Sequence, residues 1–312
     1  MTIPSRKTAI ELLAAPPHSQ NPALRRLLDN FFKQRGRSLE KGPPAPAVLW
    51  PAEYFGLHRS SLFSQCSAEQ RRTILELNGE SLLREGYFIE KAGIAYCARM
   101  LLSAETTEES QAYALIGADE AIHLAWLGDF LAPAVAAGPP DSFALSLARI
   151  VDNAGRDSLI YLLQVVLEGW GLSHYRELAK GCLWPPLRHR LAQVVRDEAL
   201  HHAGGVVLFK PERLTPIERE SLVELAAGLL AAVRSGPQRV VANLDCVVGG
   251  LEGSARERCF AELETESATA TKLALLRKLM ARPGMEWLLE RLTGAGLFKP
   301  CSPSQAAAWQ AS

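Results

Sequence analysis

Helix-capping signals recur along this chain and restrict its fold more than any other feature of the sequence. Three segments, Ser67-Ala-Glu-Gln70, Thr106-Thr-Glu-Glu109 and Thr215-Pro-Ile-Glu218, place a hydroxyl side chain three residues before a glutamate or glutamine. This pattern is a capping box and predicts the start of a helix. Pro185 and Pro186 stand where a first helical turn tolerates proline. Because the two-residue alternation of strands is nearly absent, an all-α protein is predicted.

The capping signals and the Gly and Pro residues between them set the predicted helix boundaries. The predicted helices span residues 22–35, 67–102, 106–136, 142–153, 156–180, 185–209, 216–234, 237–249, 255–281 and 285–292. Ser254-Ala-Arg-Glu257 is the capping pattern at the start of the helix over 255–281. The helix is expected to be interrupted near Gly155, between the segments 142–153 and 156–180.

Four regions follow from this pattern: an N-terminal arm (1–66), a helical core (67–210), a C-terminal helical extension (211–293) and a tail (294–312). The arm contains a proline-rich stretch that carries large apolar side chains. These side chains are Leu49, Trp50, Tyr54 and Phe55. Since they are costly to expose to water, we expect an ordered arm packed on the core, with a flexible linker as the alternative.

Composition excludes several classes of protein. The balance of 34 basic and 34 acidic side chains provides no electrostatic basis for general DNA or RNA binding. Six cysteines without a CxxC pair favour reduced thiols over a zinc ribbon or an iron–sulfur site. Glu11 interrupts the apolar stretch of a signal peptide, and no run reaches the roughly 18 apolar residues of a membrane span. A cytoplasmic protein with neither DNA nor membrane partners is expected.

Two similar segments carry the chemistry: Asp119-Glu-Ala-Ile-His123 and Asp197-Glu-Ala-Leu-His201. Each contains Glu-x-x-His, which on a helix places a carboxylate and an imidazole on one face, about one turn apart. Di-iron and di-manganese helical bundles combine two such pairs with one glutamate from each of two other helices. The sequence must therefore supply two further glutamates at the correct height.

Glu90 and Glu168 meet this requirement. Each lies 30 residues before the glutamate of a Glu-x-x-His pair, Glu120 and Glu198 respectively. The midpoints of these intervals fall in predicted turns near residues 105 and 183. In an antiparallel hairpin, residues equidistant from the turn lie at the same height, here about 22 Å from it at a rise of 1.5 Å per residue. Two hairpins are therefore predicted, each carrying two carboxylates and one imidazole.

These motifs resemble the ligand set of the ferritin-like di-iron carboxylate superfamily over about 67–210, and a ferritin-like four-helix bundle is the fold that the resemblance implies. The implied metal ligands are Glu90, Glu120, His123, Glu168, Glu198 and His201. The resemblance also implies that Asp119 orients His201 and that Asp197 orients His123, which fixes the imidazole tautomers. Tyr87, one turn before Glu90, is either a neighbour of the metals or a core residue.

The resemblance further implies a non-haem di-iron oxidase or oxygenase. Such an enzyme uses dioxygen to hydroxylate, desaturate or cleave a small, largely apolar substrate, with electrons from an external ferredoxin or reductase. Two iron ions are the expected cofactors, and a manganese–iron pair suits the same ligands. The extra helices are compatible with a substrate pocket or a homodimer interface. A ferroxidase or peroxide-handling iron protein and a metal-stapled helical binding protein are the alternatives.

Overall fold

The computed structural model describes residues 8–16, 21–37 and 44–309. Within these ranges the regular structure is helical and no strand is present, which confirms the predicted all-α class. Residues 1–7, 17–20 and 38–43 of the predicted arm and 310–312 of the predicted tail lie outside the described residues. In the described part of the chain, no helix combines the length and apolar character needed to cross a membrane.

The described residues form sixteen α-helices. In chain order they are α1 (Ala9–Leu13), α2 (Pro22–Gln34), α3 (Ser61–Gln65), α4 (Ala68–Leu102), α5 (Thr107–Gly128), α6 (Pro133–Ala136), α7 (Ser142–Asn153), α8 (Arg156–Leu159), α9 (Glu168–Gly181), α10 (Pro185–Leu208), α11 (Pro216–Arg234), α12 (Gln238–Val248), α13 (Gly253–Glu262), α14 (Thr265–Met280), α15 (Glu286–Gly294) and α16 (Pro303–Ala307). A π-helical segment, Ile160–Leu167, joins α8 to α9. Two 3₁₀ turns lie at Leu57–Arg59 and Pro211–Arg213.

Two of the predicted helices are interrupted. The helix predicted over 106–136 ends at Gly128, and α6 is separate because Pro133 forces the preceding Ala132 into an extended conformation. The helix predicted over 255–281 divides into α13 and α14. The break lies at Glu264, a non-glycine residue whose φ of 50° is incompatible with a right-handed helix.

Two short helices, α1 and α16, lie in the predicted arm and in the predicted tail, where no helix was predicted. Helix α1 begins at a capping box in which Thr8 and Glu11 satisfy each other's backbone N–H groups. Helix α16 begins at a similar box, formed by Ser302 and Gln305, inside the predicted tail. The side chain of Ala306 is fully buried in a cluster with residues of α12 and α13. Part of the predicted tail is therefore helical, over Pro303–Ala307.

The described chain forms two compact units. The first comprises residues 1–45 and 82–156, and the second comprises residues 46–81 and 157–312. Helices α1, α2, α5, α6 and α7 belong to the first unit, whereas α9 to α16 belong to the second. The four predicted regions, with boundaries at 66, 210 and 293, stay a prediction.

In the first unit, α4 and α5 pack as an antiparallel hairpin. A Cβ placed on Gly117 would lie 3.1 Å from Cβ of Cys97, and one on Gly128 would lie 3.4 Å from Cε2 of Tyr87. Residues further from the connection on α4 thus pair with residues further from it on α5, as an antiparallel hairpin requires, and the contacts centre near residue 107. Small residues on α5 let the two backbones approach closely.

In the second unit, α10 packs antiparallel against the π-helical segment and α9. A Cβ on Gly205 would lie 2.8 Å from Cγ of Gln164, and one on Gly169 would lie 3.0 Å from Cε1 of His202. Helix α14 covers the other side of the π-helical segment, where the Tyr161 hydroxyl donates to the carbonyl of Met280 at 2.8 Å. The second predicted hairpin is therefore present as well.

The arm is ordered at Trp50, which is fully buried. Its indole Nε1–H donates to the carbonyl of Leu178 at 2.9 Å. The absence of side chains at Gly79 and Gly181 makes room for the ring, since a Cβ on Gly181 would lie 3.2 Å from it. Leu49 is also buried, whereas Tyr54 and Phe55 are half-buried. The expected packing of this stretch is confirmed, and the flexible-linker alternative is wrong for it.

Replacing Trp50 separates ring packing from the hydrogen bond. We expect Trp50→Ala to lower the free energy of unfolding by about 3–5 kcal/mol, because the buried ring leaves a cavity. Trp50→Phe retains most of the packing and should cost only about 1 kcal/mol for the lost indole hydrogen bond, because the Leu178 carbonyl still accepts from the backbone N–H of Cys182. Chemical denaturation followed by circular dichroism measures both, and equal effects of the two variants would contradict the assigned role of the ring.

Candidate metal centre

The first unit brings together Glu90 of α4 with Glu120 and His123 of α5. Nδ1 of His123 lies 3.2 Å from Oε2 of Glu90 and 4.0 Å from Oε2 of Glu120. One ligand atom from each of the three residues lies within 4.8 Å of the other two. Glu90 is 1% exposed, Glu120 3% and His123 0%. We call these three residues the first group.

Gly93 gives the first group its shape. It lies one helical turn after Glu90, and a Cβ placed on it would fall 2.7 Å from Oε2 and 2.9 Å from Cδ of Glu120. Any larger residue would displace the Glu120 carboxylate from its place against α4. The Glu-x-x-His spacing does not reveal this glycine, because its role depends on contact with the neighbouring helix.

Lys91 follows Glu90 in sequence, yet its ammonium group points elsewhere. Nζ donates to the carbonyls of Leu13 at 2.9 Å and Ala15 at 2.6 Å, so it caps the C-terminal end of α1. Burial lowers the pKa of this amine below its usual value. The contact fastens α1 to the helix that carries Glu90.

Aromatic side chains lie beside the first group. The Trp126 ring is 6.0 Å from the His123 ring, one turn further along α5. Tyr87 is buried, packs edge-to-face on Phe88 and lies 5.8 Å from Nζ of Lys91. Burial raises the pKa of its phenol, which therefore stays protonated near neutral pH. A role for Tyr87 near bound metals stays a prediction.

The second unit brings together Glu168 of α9 with Glu198 and His201 of α10. Nδ1 of His201 lies 3.1 Å from Oε2 of Glu198. One ligand atom from each of the three lies within 4.8 Å of the other two. Glu198 and His201 are buried, and Glu168 is half-buried. This second group therefore repeats the composition of the first, with two carboxylates and one imidazole.

The π-helical segment ends immediately before Glu168. The backbone N–H of Glu168 donates to the carbonyl of Leu163, five residues earlier, so the helix is wider here than an α-helix. Gln164 is fully buried in this segment, and its Nε2 donates to the carbonyl of His201 at 2.9 Å. The close approach of Gly205 to Gln164 makes this contact feasible. Together these features fix the positions of Glu168 and His201 within their hairpin.

The donor chemistry of both groups fits a metal ion. Carboxylate and imidazole ligands suit iron, manganese and zinc. Two neighbouring carboxylates buried without a cation would repel each other and lose hydration, so a bound divalent ion would relieve both costs. The space left by the missing side chain of Gly93 also lets the Glu120 carboxylate lie close to His123 and Glu90. Each group could therefore hold a metal ion.

The structure thus places each predicted ligand in a group with its own hairpin partners. These residues are Glu90, Glu120 and His123 in the first group and Glu168, Glu198 and His201 in the second. Asp119 and Asp197 directly precede Glu120 and Glu198 and are half-buried. Their predicted orientation of the imidazoles stays a prediction. Sequence spacing did not reveal Gly93, the π-helical segment or Gln164.

Gly93→Ala tests whether the space at Gly93 positions the Glu120 carboxylate, and it leaves all the candidate ligands in place. Alanine favours a helix by about 1 kcal/mol over glycine, which offsets part of the cost of moving the buried Glu120 carboxylate, so the variant should still fold. The displaced Glu120 carboxylate should weaken ferrous or manganous binding about tenfold or more in anaerobic calorimetric titrations.

Gly228→Ala in α11 is the matched control, because nothing lies within 4 Å of a Cβ placed there. It should bind metal as the native chain does. If Gly93→Ala bound ferrous or manganous ions with native affinity, the position of Glu120 would not depend on the space at Gly93.

Comparison of the chain with protein-family models, with curated proteins and with solved structures returned no match. The chemistry of the two groups is therefore inferred from residue types, burial and distances within each hairpin.

Proposed function

We propose that the two groups form one carboxylate-bridged di-metal centre in a ferritin-like four-helix bundle. In this proposal the bundle consists of α4, α5, α10 and the helix formed by the π-helical segment with α9. The observation that carries it is the repeated arrangement of two carboxylates and one imidazole, largely buried, in each of two antiparallel hairpins. The equal 30-residue spacing in the two hairpins supports the same height for both groups.

Charge balance supports a pair of divalent ions. Four carboxylates carry four negative charges, which two divalent cations neutralise, and neutral imidazoles complete the donor set. A single divalent ion would leave a net negative charge among buried groups, which is costly in an apolar interior. Two iron ions are the proposed cofactors, and a manganese–iron pair satisfies the same balance.

The proposed activity is that of a di-metal oxidase or oxygenase acting on a small, largely apolar substrate. Bound ferrous ions would supply electrons and open coordination positions for the reduction of dioxygen. The carboxylates neutralise the ions, and each imidazole fixes one donor direction. Apolar side chains lie one turn from the ligands on the same helix faces: Ile94 after Glu90 and Val165 before Glu168. They would exclude water and favour an apolar substrate over a charged one.

Electrons for repeated turnover are proposed to come from an external ferredoxin or reductase. The six cysteines contain no CxxC pair, and five of the side chains are buried. A sulfur-ligated redox centre of the CxxC type is therefore not encoded in this sequence.

Anaerobic titration with ferrous iron, followed by exposure to oxygen, tests the proposal. The native protein should bind about two iron ions per chain and then consume oxygen. Glu90→Gln and Glu168→Gln each remove one anionic ligand from one group. Each should reduce iron uptake to about one ion or fewer and slow oxygen consumption at least about tenfold, because the centre acts as a unit.

Glu224→Gln is the control, since Glu224 is exposed on α11 and lies in neither group. Circular dichroism of each apo variant checks that folding is retained. Iron uptake well below two ions per chain in the native protein would overturn the proposal. Full iron uptake without oxygen consumption would instead identify a structural metal. Oxygen consumption without oxidation of any organic compound would identify an iron-handling protein.

A further inference from the structure

Helix α2 exposes an apolar stripe that the metal groups do not use. Leu24, Leu27, Leu28 and Phe31 recur at helical spacing and therefore share one face of the helix. Each is between 42% and 48% exposed. Scattered exposed leucines are common, but four large side chains in one continuous stripe indicate a contact surface.

The same segment is strongly cationic. Residues 21–37 contain five basic side chains and one acidic one, Asp29, in a chain whose total charge is balanced. Arg25, Arg26 and Lys33 are exposed and lie away from the centre of the apolar stripe. An apolar face of leucine and phenylalanine combined with basic residues on the remaining faces is the composition of helices that lie in a membrane interface.

Only one side of α2 is held by the rest of its unit. Phe32 is the buried residue of this helix, and Asp29 is half-buried beside it on the same side. Beyond the helix, the guanidinium of Arg37 lies 5.5 Å from the centre of the Trp126 ring. Since the Trp126 ring also lies 6.0 Å from the His123 ring, Arg37 and Trp126 connect the end of this segment to the first group.

We propose that α2 docks the protein on an anionic lipid surface. Charge complementarity selects this occupant: basic side chains are attracted to phosphatidylserine-type headgroups while the leucines and Phe31 enter the acyl boundary. Two copies of this chain would bring two cationic helices together, which like-charge repulsion disfavours. A groove in a partner protein would enclose several faces of the helix, but the face that carries Phe32 is already packed against the rest of the unit. A planar surface needs only the one apolar face that is exposed.

This inference does not depend on the proposed di-metal activity. It differs from the expectation that the protein has no membrane partner, because that expectation rested on the lack of a long apolar run for a spanning helix. A helix lying in the interface needs only one apolar face. If both proposals hold, an apolar substrate dissolved in the bilayer would meet the protein at α2.

Vesicle co-sedimentation of the full chain tests the docking surface. Vesicles of phosphatidylcholine alone are compared with vesicles that also contain phosphatidylserine. The native protein should partition about tenfold more strongly onto the anionic vesicles, and added salt should weaken this binding. Leu27→Ser with Phe31→Ser should reduce binding about tenfold while leaving every charge in place.

A second variant removes charge and retains the apolar stripe. Arg25→Gln, Arg26→Gln and Lys33→Gln together should abolish most of the preference for anionic vesicles. Two controls make matched changes at exposed residues elsewhere. They are Leu115→Ser with Val207→Ser and the triple change Lys272→Gln, Lys278→Gln and Lys299→Gln. Both controls should bind as the native protein does.

Three results would overturn the proposal. The first is the absence of native binding to anionic vesicles. The second is binding that survives the change of Leu27 and Phe31 or is lost equally in the controls. The third, measured by size-exclusion chromatography with light scattering, is a native dimer that Leu27→Ser with Phe31→Ser dissociates while vesicle binding is absent, which would assign the stripe to a second copy of this chain.

Discussion

Buried carboxylates beside imidazoles are the constraint on which the rest of this structure depends. Glu90 and Glu120 lie in the interior of one hairpin and Glu198 in that of another, where an unpaired negative charge is costly. These acids lie among buried residues of helices that also carry many charged side chains, and specific features surround them. Gly93 leaves space for Glu120, and Gln164 holds the His201 segment against the helix that carries Glu168. Such features are expected where acidic groups bind cations.

Much of the helical framework could be predicted because helix boundaries are local. Thr106 and Thr215 cap α5 and α11 as the sequence indicates, and the break before Arg156 follows from Gly155. The hairpin partners of the six candidate ligands were predicted for a similar reason. Rise per residue is constant in a helix, so equal distances from a turn determine which residues face each other.

The features that were missed depend on contacts between elements. The break at Glu264 accompanies a bond from the buried Thr265 hydroxyl to the Phe260 carbonyl, which the local pattern does not reveal. The π-helical segment before Glu168 has the same composition as an ordinary buried helix. Helix α2 was predicted correctly in extent, yet its exposed apolar stripe depends on what the rest of the unit leaves uncovered. The capping residues of short helices such as α16 are present in the sequence, but no helix was predicted from them.

The most direct test of a shared di-metal centre is anomalous diffraction from crystals loaded anaerobically with iron or manganese. The account predicts two anomalous peaks about 3.5–4 Å apart, each next to one imidazole, with a carboxylate between them. Two peaks separated by much more than this distance would show independent sites. A single peak, or peaks away from the six candidate ligands, would contradict the central claim.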